Sequence, residues 1–443
     1  MSACVPGSKE KNRHTHTLRF LPFTFRPSPF ALCPSPFAFC LLLFFLVVSV
    51  SSCVCPPIPR EKAAGPQGSL IKLKAGGFPY FSDGLDRESL TAAVDRSLHY
   101  LRKLPQDRTV YFGEDARTVG EMIESMHCFL EILRKEKNPA GLNRAVRGQF
   151  DVYQPPPIEK KNETTLFTGY YEPVLEGSPE RTDIFRYPLY RKPADLVSLD
   201  LGVFHPRFNG MSVVGRFGDG SFLPYHTRKA IDGRAALSGN GLELIWLRDV
   251  VDIFFLHIQG SGKIKFRDGR TINVNYAASN GREYKSIGKL FIDEGILPKE
   301  KVNLDSIKTY LREHPEERDR ILSYNESYVF FREVDEGPVG SISEPVTAGR
   351  SIATDSGLFP KGALAFIETK IPELDGKGQL KSWEKISRFV LNQDTGGAIK
   401  GPNRVDLFFG SGDEAGKRAG FMNQEGNIYF LIKKHGAAWP QQK

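Results

Sequence analysis

Two early stretches of the chain carry apolar residues at helical spacing. They are Leu90, Val94, Leu98 and Leu101 in the first stretch, and Met122, Met126, Phe129 and Leu133 in the second. This spacing places the apolar side chains on one face of a helix, where they can pack on a core. Asp86 before the first stretch and the capping-box sequence Thr118-Val119-Gly120-Glu121 before the second are N-terminal signals. We therefore predict one helix over 86–104 and a second from 118 to 138.

After residue 153 the pattern changes to short runs of β-branched and aromatic residues that are separated by glycine-rich turns. The predicted strands cover 167–171, 184–190, 243–246, 251–257, 263–266, 271–274, 328–331, 351–353, 363–367, 388–391, 405–409 and 428–431. Asp268-Gly269 is a hairpin signal, and small helices are expected at 286–294 and 305–312. Many short strands between turns favour a mainly β protein with some α, built on a barrel.

The N-terminal region differs from the rest of the chain. An apolar run of fourteen residues covers 37–50, which is short for a transmembrane helix of about 20 residues and typical of a signal peptide. Val50-Ser51-Ser52-Cys53 follows and resembles a bacterial lipoprotein cleavage box. We therefore expect a signal peptide over 1–52, lipidation of Cys53, and a Pro-, Gly- and Lys-containing tether over 53–77. A plain signal peptide or an uncleaved anchor helix remains the alternative.

Composition narrows the function classes. The formal net charge is +8, and no cluster of Lys and Arg or nucleic-acid motif is present, so we do not expect nucleic-acid binding. A mildly basic chain suits an anionic cell-wall polymer. Six cysteines, of which only Cys53, Cys55 and Cys128 lie beyond residue 52, form no disulfide framework, and Cys128 is expected to be buried. The nine histidines show no ligand-type spacing, so neither a metal nor another cofactor is predicted.

The stretch 393–410 is the strongest candidate for chemistry. Asp394 precedes Gly396-Gly397, and Asp406 lies in the predicted strand 405–409. Alternation along a strand directs Asp406 away from the face of Val405 and Leu407. A carboxyl group on a partly covered face has a raised pKa, which a general acid needs near neutral pH. The alternative is a solvated strand aspartate at 406 and a turn-forming aspartate at 394.

Several motifs resemble one family, in the same order along the chain. Residues 393–420, the sequence Phe167-Thr168-Gly169-Tyr170-Tyr171-Glu172-Pro173 and the sequence Phe255-Leu256-His257-Ile258-Gln259-Gly260-Ser261-Gly262 resemble the membrane-bound lytic murein transglycosylase A family. The family's C-terminal module is named for three aspartates, which here correspond to Asp355, Asp394 and Asp406. The resemblance extends from about residue 167 to about residue 431.

The resemblance implies a fold and a domain plan. The family fold is a double-psi β-barrel that carries a second, smaller inserted β-barrel domain, with a groove between the two. On this chain it implies a helical first part of the main domain at 78–167 and an inserted β domain at 168–332. The second part of the main domain, with the three aspartates, follows at 333–434, and 435–443 form a tail.

The resemblance also implies an activity. The family cleaves the β-1,4 bond between N-acetylmuramic acid and N-acetylglucosamine in peptidoglycan without water, and the sugar's own 6-hydroxyl closes a 1,6-anhydro ring. The residue that corresponds to the single acid and base is Asp406. Asp394, the second catalytic candidate, precedes a Gly-Gly turn, where it could accept backbone amides or hold the partner of Asp406. The expected partners are glycan strands and, through the lipid anchor, the outer membrane of a Gram-negative bacterium, with the protein facing the periplasm.

Other residues are candidates for substrate contacts. The aromatic rings and polar groups expected to touch glycan are those of Thr168, Tyr170, Tyr171, Glu172, Gln259, Gly260, Ser261, Gly262 and Lys400. Asp355, just before a turn, is expected to be structural. An aromatic core at 170–171, a plain hairpin turn at 259–262 and a solvated Lys400 are the structural alternatives.

Two other functions stay open from the sequence. A non-catalytic cell-wall-binding lipoprotein would use the same barrel without needing Asp406. An ordinary hydrolase would use Asp394 and Asp406 as acid and base and would leave reducing sugar ends in place of anhydro ends.

Overall fold

A computed structural model describes residues 70–157 and 164–436. Its α-helices are α1 (Arg87–Arg102), α2 (Val119–Lys135), α3 (Pro139–Gln149), α4 (Val250–Gln259), α5 (Ile287–Asp293), α6 (Leu304–Glu313), α7 (Pro315–Tyr324) and α8 (Asp413–Phe421). Asp86 caps α1, and Thr118 and Glu121 form the capping box of α2. Both helices predicted near the start of the chain are confirmed. The next helix, α3, begins after the Asn138 cap and was not predicted.

The strands occur mainly in runs between these helices. They are β1 (Ile71–Lys72), β2 (Thr109–Phe112), β3 (Asp115–Thr118), β4 (Phe150–Gln154), β5 (Thr165–Glu172), β6 (Val174–Ser178), β7 (Tyr187–Tyr190), β8 (Val197–Asp200), β9 (Ser212–Gly218), β10 (Ser221–Pro224), β11 (Glu243–Leu247), β12 (Ser261–Lys265), β13 (Thr271–Ser279), β14 (Val329–Val334), β15 (Ser351–Ala353), β16 (Leu364–Leu374), β17 (Leu380–Asp394), β18 (Arg404–Ser411) and β19 (Asn423–Lys433). The mainly β prediction is confirmed.

Six strands close into a barrel. They pair in the order β19–β16–β17–β15–β18–β5, and β5 pairs again with β19. The pairs β15–β17 and β18–β5 are parallel, whereas the others in the ring are antiparallel. On the outer edge of β19, β4 and then β1 extend the sheet. The parallel pairs join segments that lie far apart in sequence, so the barrel depends on long-range pairing.

The barrel and the N-terminal helices share one apolar core. It contains Phe129 of α2, Phe150 of β4 and Phe389 of β17, and the rings of Phe129 and Phe389 are 4.7 Å apart. Arg350 is fully buried and donates to both carboxylate oxygens of Asp83, at 2.7 and 2.9 Å. The ion pair ties the segment before α1 to the start of β15. Residues before 154 and after 350 therefore fold around the same core.

The residues between these two segments form separate sheets. A six-stranded sheet has the order β14–β13–β12–β6–β11–β7, and a parallel bridge between Arg191 and Phe331 joins its two ends. A three-stranded sheet, β10–β9–β8, lies in the same part of the chain. Helices α4 to α7 pack on one another around Phe254, Phe291 and Leu311. This part is joined to the barrel through the continuous chain from β5 into β6 at Pro173.

The prediction of a strand at 251–257 is wrong, because these residues lie in helix α4. Asp249 caps the helix, and Gly260 ends it in the left-handed conformation with φ of 78°. Every residue from 253 to 257 is buried, so the run is apolar on all sides and shows no helical period. Periodicity does not separate such a buried helix from a buried strand. The predicted hairpin at 263–274 is confirmed by the pairing of β12 with β13.

The predicted tether extends too far. Leu70 is 3% exposed and belongs to the main core, and Ile71 and Lys72 pair with β4. A free tether therefore ends before residue 70. The predicted signal peptide, Cys53 and Cys55 lie outside the described residues. Within 70–157 and 164–436, none of the helices combines the length and apolarity that crossing a bilayer requires.

Candidate active site

Four strands of the barrel bring the two candidate carboxylates onto one row of the sheet. Asp394 at the end of β17 is in register with Ala353 of β15, Ala353 is opposite Asp406 of β18, and Asp406 is beside Thr168 of β5. Two strand spacings, about 10 Å, therefore separate the backbones of the two aspartates. The small side chain of Ala353, which is 4% exposed, lies between them. The sequence-predicted residues Asp394, Asp406 and Thr168 are thus brought together.

Asp406 is a partly exposed carboxyl group with a raised pKa. Burial raises its pKa to about 6, and the negative charge of Asp394 contributes to the rise, whereas the Arg404 guanidinium opposes it. The hydroxyl of Thr168 donates a hydrogen bond to Oδ1 of Asp406. The group therefore holds a proton over part of the range just below neutral pH, as an acid catalyst must.

Asp394 is held by backbone amides. Its Oδ1 accepts hydrogen bonds from the Ser341 amide at 3.0 Å and the Thr395 amide at 2.8 Å. Burial raises its pKa to about 6, although these amides and the positive charge of Lys361 act in the opposite direction. Two acids with similar pKa values in one site lose their protons as a coupled pair. One proton is therefore retained on the pair when the other has been lost.

Tyr170 lies next to the pair, where an interaction of its hydroxyl with the Asp394 carboxylate raises the pKa of Tyr170 and lowers that of Asp394. Its ring packs on Phe408 at 5.1 Å. Burial and the charges of Asp394 and Asp406 raise its pKa well above the usual value, so it stays a neutral donor. In the described part of the chain, the hydroxyl of Ser341 and Nε of Arg404 are buried without hydrogen-bond partners. Unsatisfied buried polar atoms around two acids indicate a site that is completed by a ligand.

Two residues of this site were missed by sequence reasoning. Arg404, two positions before Asp406, lowers the pKa of that acid. Tyr284 follows β13 in the region between the two barrel segments, and the charges of Arg404 and Asp406 both act on its pKa. Arg404 could have been identified from its spacing to Asp406, since residues two apart on a strand share a face. Tyr284 carries no local signal.

Asp355 and Lys400 lie beside the carboxylate row. Asp355 accepts hydrogen bonds from the amides of Gly357 at 3.0 Å and Gly401 at 2.9 Å. It therefore joins the turn after β15 to the glycine-rich turn before β18, which agrees with the structural role predicted for it. Lys400 is exposed and has no ion-pair partner within the described part of the chain.

Tyr171 and Glu172, predicted to line the groove between the domains, do not face the carboxylate row. Tyr171 is 5% exposed, and its ring packs against Ala415 and Ala419 of α8. Glu172 is fully buried, where it accepts a hydrogen bond from Ser411 and lies 3.5 Å from the Lys263 ammonium. The predicted contacts of Tyr171 and Glu172 with glycan are therefore not made at the carboxylate row. Alternation along β5 turns Tyr171 to the side opposite Tyr170.

The segment 259–262 connects α4 to β12 and is not a hairpin turn. Gln259 accepts a hydrogen bond from the Tyr171 amide at 3.0 Å. A Cβ atom on Gly262 would lie 2.6 Å from the Leu256 side chain, and Ser261 is 7% exposed. The absence of a side chain at 262 therefore allows α4 to pack closely. The predicted reason for this glycine was the close approach of a glycan. Gly260 serves as the left-handed end of the helix.

The arrangement suits proton transfer to and from a polar ligand. It offers a carboxyl group with a pKa of about 6, a second acid that acts on it, and buried donors without partners. Among residues 70–157 and 164–436, no group of three His, Cys, Asp or Glu side chains is arranged to hold a metal ion.

Two family models match the chain. The "MltA specific insert domain" matches residues 166–332, and the "3D domain" matches residues 350–432. The first match covers the region between the two barrel segments, with β5 at its start. The second covers β15 to β19 and both candidate acids.

Curated relatives and solved structures agree with these matches. The chain is 33% identical over 278 residues to "Membrane-bound lytic murein transglycosylase A" of Escherichia coli (strain K12), a match that spans 61% of this chain and 66% of that relative. It is similar to the crystal structure of a membrane-bound lytic murein transglycosylase from Agrobacterium tumefaciens, with a TM-score of 0.68, 32% identity and coverage of 82% of this chain and 98% of that one. The E. coli MltA structure with bound chitohexaose matches with a TM-score of 0.60, 25% identity and coverage of 82% and 94%.

Proposed function

The chain belongs to the membrane-bound lytic murein transglycosylase A family, and on that basis we propose that it is a lytic transglycosylase that acts on peptidoglycan. The substrate is the β-1,4 bond between N-acetylmuramic acid and N-acetylglucosamine. The observation that carries the proposal is Asp406, a partly exposed carboxyl group with a pKa of about 6 in a row of the barrel beside a second acid. The matched region covers just under two thirds of the curated relative from E. coli.

Bond cleavage begins with proton donation. Protonated Asp406 gives its proton to the glycosidic oxygen as the bond to the anomeric carbon breaks, and positive charge develops on the sugar ring. When Asp406 holds the one proton of the pair, the ionised Asp394, whose Oδ1 accepts two amide hydrogen bonds, favours that positive charge electrostatically. The Thr168 hydroxyl fixes the orientation of the acid through its hydrogen bond to Oδ1.

The second step needs no water. Ionised Asp406 accepts the proton of the 6-hydroxyl of the same N-acetylmuramic acid as its oxygen bonds to the anomeric carbon. A 1,6-anhydro ring forms, and Asp406 regains its proton. One carboxyl group serves both steps because the nucleophile belongs to the substrate, and an intramolecular attack has a high effective concentration.

Glycan lies in a groove between the main barrel and residues 166–332. Tyr284 supports this location, because it lies outside the barrel segments yet close enough to Asp406 for the charge of that acid to act on its pKa. The bound chitohexaose named for the E. coli relative supports an oligosaccharide groove. The barrel is of the double-psi type, and 168–332 form an inserted domain between 78–167 and 333–434.

The protein is exported and attached to a membrane. The relatives are named membrane-bound, which supports an envelope location in a Gram-negative bacterium. Cleavage after residue 52, lipidation of Cys53 and a tether up to about residue 69 attach the protein to the outer membrane on its periplasmic side.

The products of murein digestion test the reaction. Purified murein sacculi are digested with the protein, and the fragments are analysed by mass spectrometry. We expect fragments that end in 1,6-anhydro-N-acetylmuramic acid, which are lighter by one water than hydrolysis products. Reducing ends would establish a hydrolase that uses Asp394 and Asp406, and undigested sacculi that retain bound protein would establish a non-catalytic binder.

A further inference from the structure

A cavity of about 530 Å³ lies on the side of β5 opposite the carboxylate row. It is lined by Tyr171, Pro173, Val174, Leu175, Glu176, Leu247, Arg248, Asp249, Asp252, Asp305, Lys308, Arg312 and Asp413. Asp305 belongs to α6 of the inserted region and Asp413 begins α8 of the barrel segment, so both parts contribute walls. The volume is in the range of small-molecule sites. None of the residues of the proposed active site lines it.

The charges that line this cavity do not balance. Asp249 and Asp252 are paired, with Arg312 at 2.8 Å from Asp249 and Lys308 at 3.0 Å from Asp252. The other three carboxylates, of Glu176, Asp305 and Asp413, have no ion-pair partner among the described residues. Asp305 and Asp413 lie in the first turns of α6 and α8, where the helix dipole favours negative charge. Five acids against three bases leave an excess of negative charge.

Tyr171 gives independent evidence of a ligand. The residue is only 5% exposed, it lines the cavity, and its hydroxyl forms no hydrogen bond with the described residues. Burial and the charges of Asp252, Asp305 and Asp413 raise its pKa, so the hydroxyl stays neutral. The ring is held in place, because a Cβ atom on Gly416 would lie only 2.8 Å from Cε2 of the ring. A fixed hydroxyl without a partner faces three carboxylates.

We propose that this cavity binds a primary ammonium group, and specifically that of a diamino acid in the peptide stems that peptidoglycan carries. An ammonium group donates three hydrogen bonds and accepts none, which suits the Tyr171 oxygen and the carboxylates of Asp305 and Asp413. Arg248 is exposed and has no ion-pair partner in the described ranges, so it is available to the carboxylate of the same amino acid. The identification of the stem rests on the proposed function.

The cavity and the reaction centre lie on opposite sides of β5. Tyr171 is three residues along β5 from Thr168, which touches Asp406, and three strand residues span about 10 Å. A peptide stem on a glycan held at Asp406 reaches the cavity only around the end of β5, at Pro173, which lines the cavity. A cavity occupied in this way selects glycan strands that still carry peptides.

Binding of a free stem peptide tests the inference without needing catalysis. The full chain is titrated calorimetrically with a tripeptide that ends in a diamino acid with a free side-chain ammonium group, and with the same tripeptide acetylated on that amine. We expect saturable binding of the first and binding weaker by at least about tenfold for the second, the order of one charge-assisted hydrogen bond. The Asp305→Asn/Asp413→Asn double variant should bind the free peptide at least about tenfold more weakly.

Matched variants separate this effect from damage to the fold. Tyr171→Phe removes only the unpartnered hydroxyl and should weaken peptide binding while thermal stability stays unchanged. Asp293→Asn, an exposed acid on α5 that pairs with Lys289 at 3.5 Å, should bind the peptide as the wild type does. Equal binding of the free and acetylated peptides, or unchanged binding by the double variant, would overturn the inference.

Cleavage of peptide-free glycan strands by the wild type separates the two proposals. If these strands give anhydro ends but no stem peptide binds, the proposed function stands and the cavity inference fails. If the stem peptide binds as expected but no strands are cleaved, the ammonium site stands and the proposed reaction fails.

Discussion

Two ionic centres of this protein differ in the charges that they bring together. In the barrel, Asp394 and Asp406 are like charges, both partly exposed, and burial raises the pKa of each to about 6. In the inserted region, Arg228 is 2% exposed and lies beside Asp232 at 3.5 Å. The barrel centre opposes its own ionisation, whereas the Arg228 centre pairs opposite charges.

The surroundings of Arg228 are closed. Its guanidinium donates to the Asn325 carbonyl at 3.0 Å, to the Ser327 carbonyl at 2.6 Å and to Nδ1 of His257 at 3.0 Å. Burial first, and then the charge of Arg228, hold the pKa of His257 well below its usual value, so the imidazole is neutral and accepts the bond. These bonds join α4 to the segment before β14, so the centre serves to hold the inserted region together.

The comparison shows how buried charge relates to role in this chain. Asp394 and Asp406 repel each other when both are ionised, and this repulsion lowers the stability of the fold. The same repulsion lets the pair hold a proton near neutral pH, which proton transfer to a substrate requires. Arg228, in contrast, is enclosed by carbonyl groups and an imidazole. It holds neighbouring segments together and is not accessible to a ligand. We therefore expect changes at the first centre to affect turnover and changes at the second to affect stability.

The largest expected effect is that of Asp406→Asn on turnover. The amide keeps the shape of the side chain but has no proton to donate, so turnover on murein should fall by at least about 10²–10⁴-fold, the usual contribution of general acid catalysis. Binding of glycan should survive, since the amide oxygen of the substituted side chain still accepts the hydrogen bond from Thr168. Release of anhydro-muropeptides measures turnover. Asp394→Asn should lower turnover less. If Asp406→Asn retained more than about a tenth of wild-type turnover, Asp406 would not be the general acid, and Asp394 would be the next candidate.

Arg228→Met should produce the largest loss of stability. Removal of the guanidinium leaves two carbonyls and His257 unsatisfied in a closed site, and breaking a buried pair lowers the free energy of unfolding by about 3–5 kcal/mol. Urea unfolding followed by circular dichroism measures it. Arg320→Met, which removes an exposed arginine paired with Glu294 and Glu317, should change stability by less than about 1 kcal/mol. Equal effects of the two variants would refute the structural role of Arg228.

The raised pKa of Asp406 predicts that the folded protein becomes less stable as pH rises. The folded-state pKa of about 6 is above the ordinary value of 3.8, so the folded state binds the proton more tightly and loses stability as pH rises from about 4 to 6. Asp406→Asn cannot ionise and should be more stable than the wild type at pH 8 by up to about 3 kcal/mol, with little difference at pH 4. Asp355→Asn, whose parent carboxylate accepts two amides, is the control and should show no such gain.

Activity should fall with rising pH as the proton is lost. Because the protonated form of Asp406 is the active one, turnover should decline by about tenfold per pH unit above the raised pKa of about 6. Initial rates on solubilised glycan strands between pH 4.5 and 8 measure the profile. A rate that rises through pH 6 would show that the ionised form is needed first, and would exclude the acid role.

Thr168→Val should give the smallest effect and test the geometry of the acid. The hydroxyl stabilises the ionised carboxylate through its hydrogen bond to Oδ1, so its removal should raise the pKa of Asp406. The alkaline limb of the pH profile should then move upward, by less than about one pH unit for the loss of one hydrogen bond. Thr369→Val, on β16 and bonded to the Glu425 carbonyl, should leave the limb in place.

The sequence determined the acids and the elements that carry a local signal. Asp394 and Asp406 stand out because a glycine-rich turn separates them and because Asp406 alternates with apolar residues on its strand. The caps at Asp86 and Thr118 fixed the first two helices, since a cap acts through bonds to amides within three residues of it. The hairpin at Asp268-Gly269 was predictable for the same reason.

Only the tertiary structure decided which residues surround those acids and which do not. Asp394, Asp406 and Thr168 meet through parallel and antiparallel pairing of β17, β15, β18 and β5. Tyr284 comes close to Asp406 from the region between the two barrel segments. Tyr171 turns away into the acidic cavity. The run 251–257 is a helix whose residues 253–257 are all buried, so its apolar pattern does not distinguish a helix from a strand. Pairing register and burial on all faces arise from contacts between residues distant in sequence, and no local pattern records them.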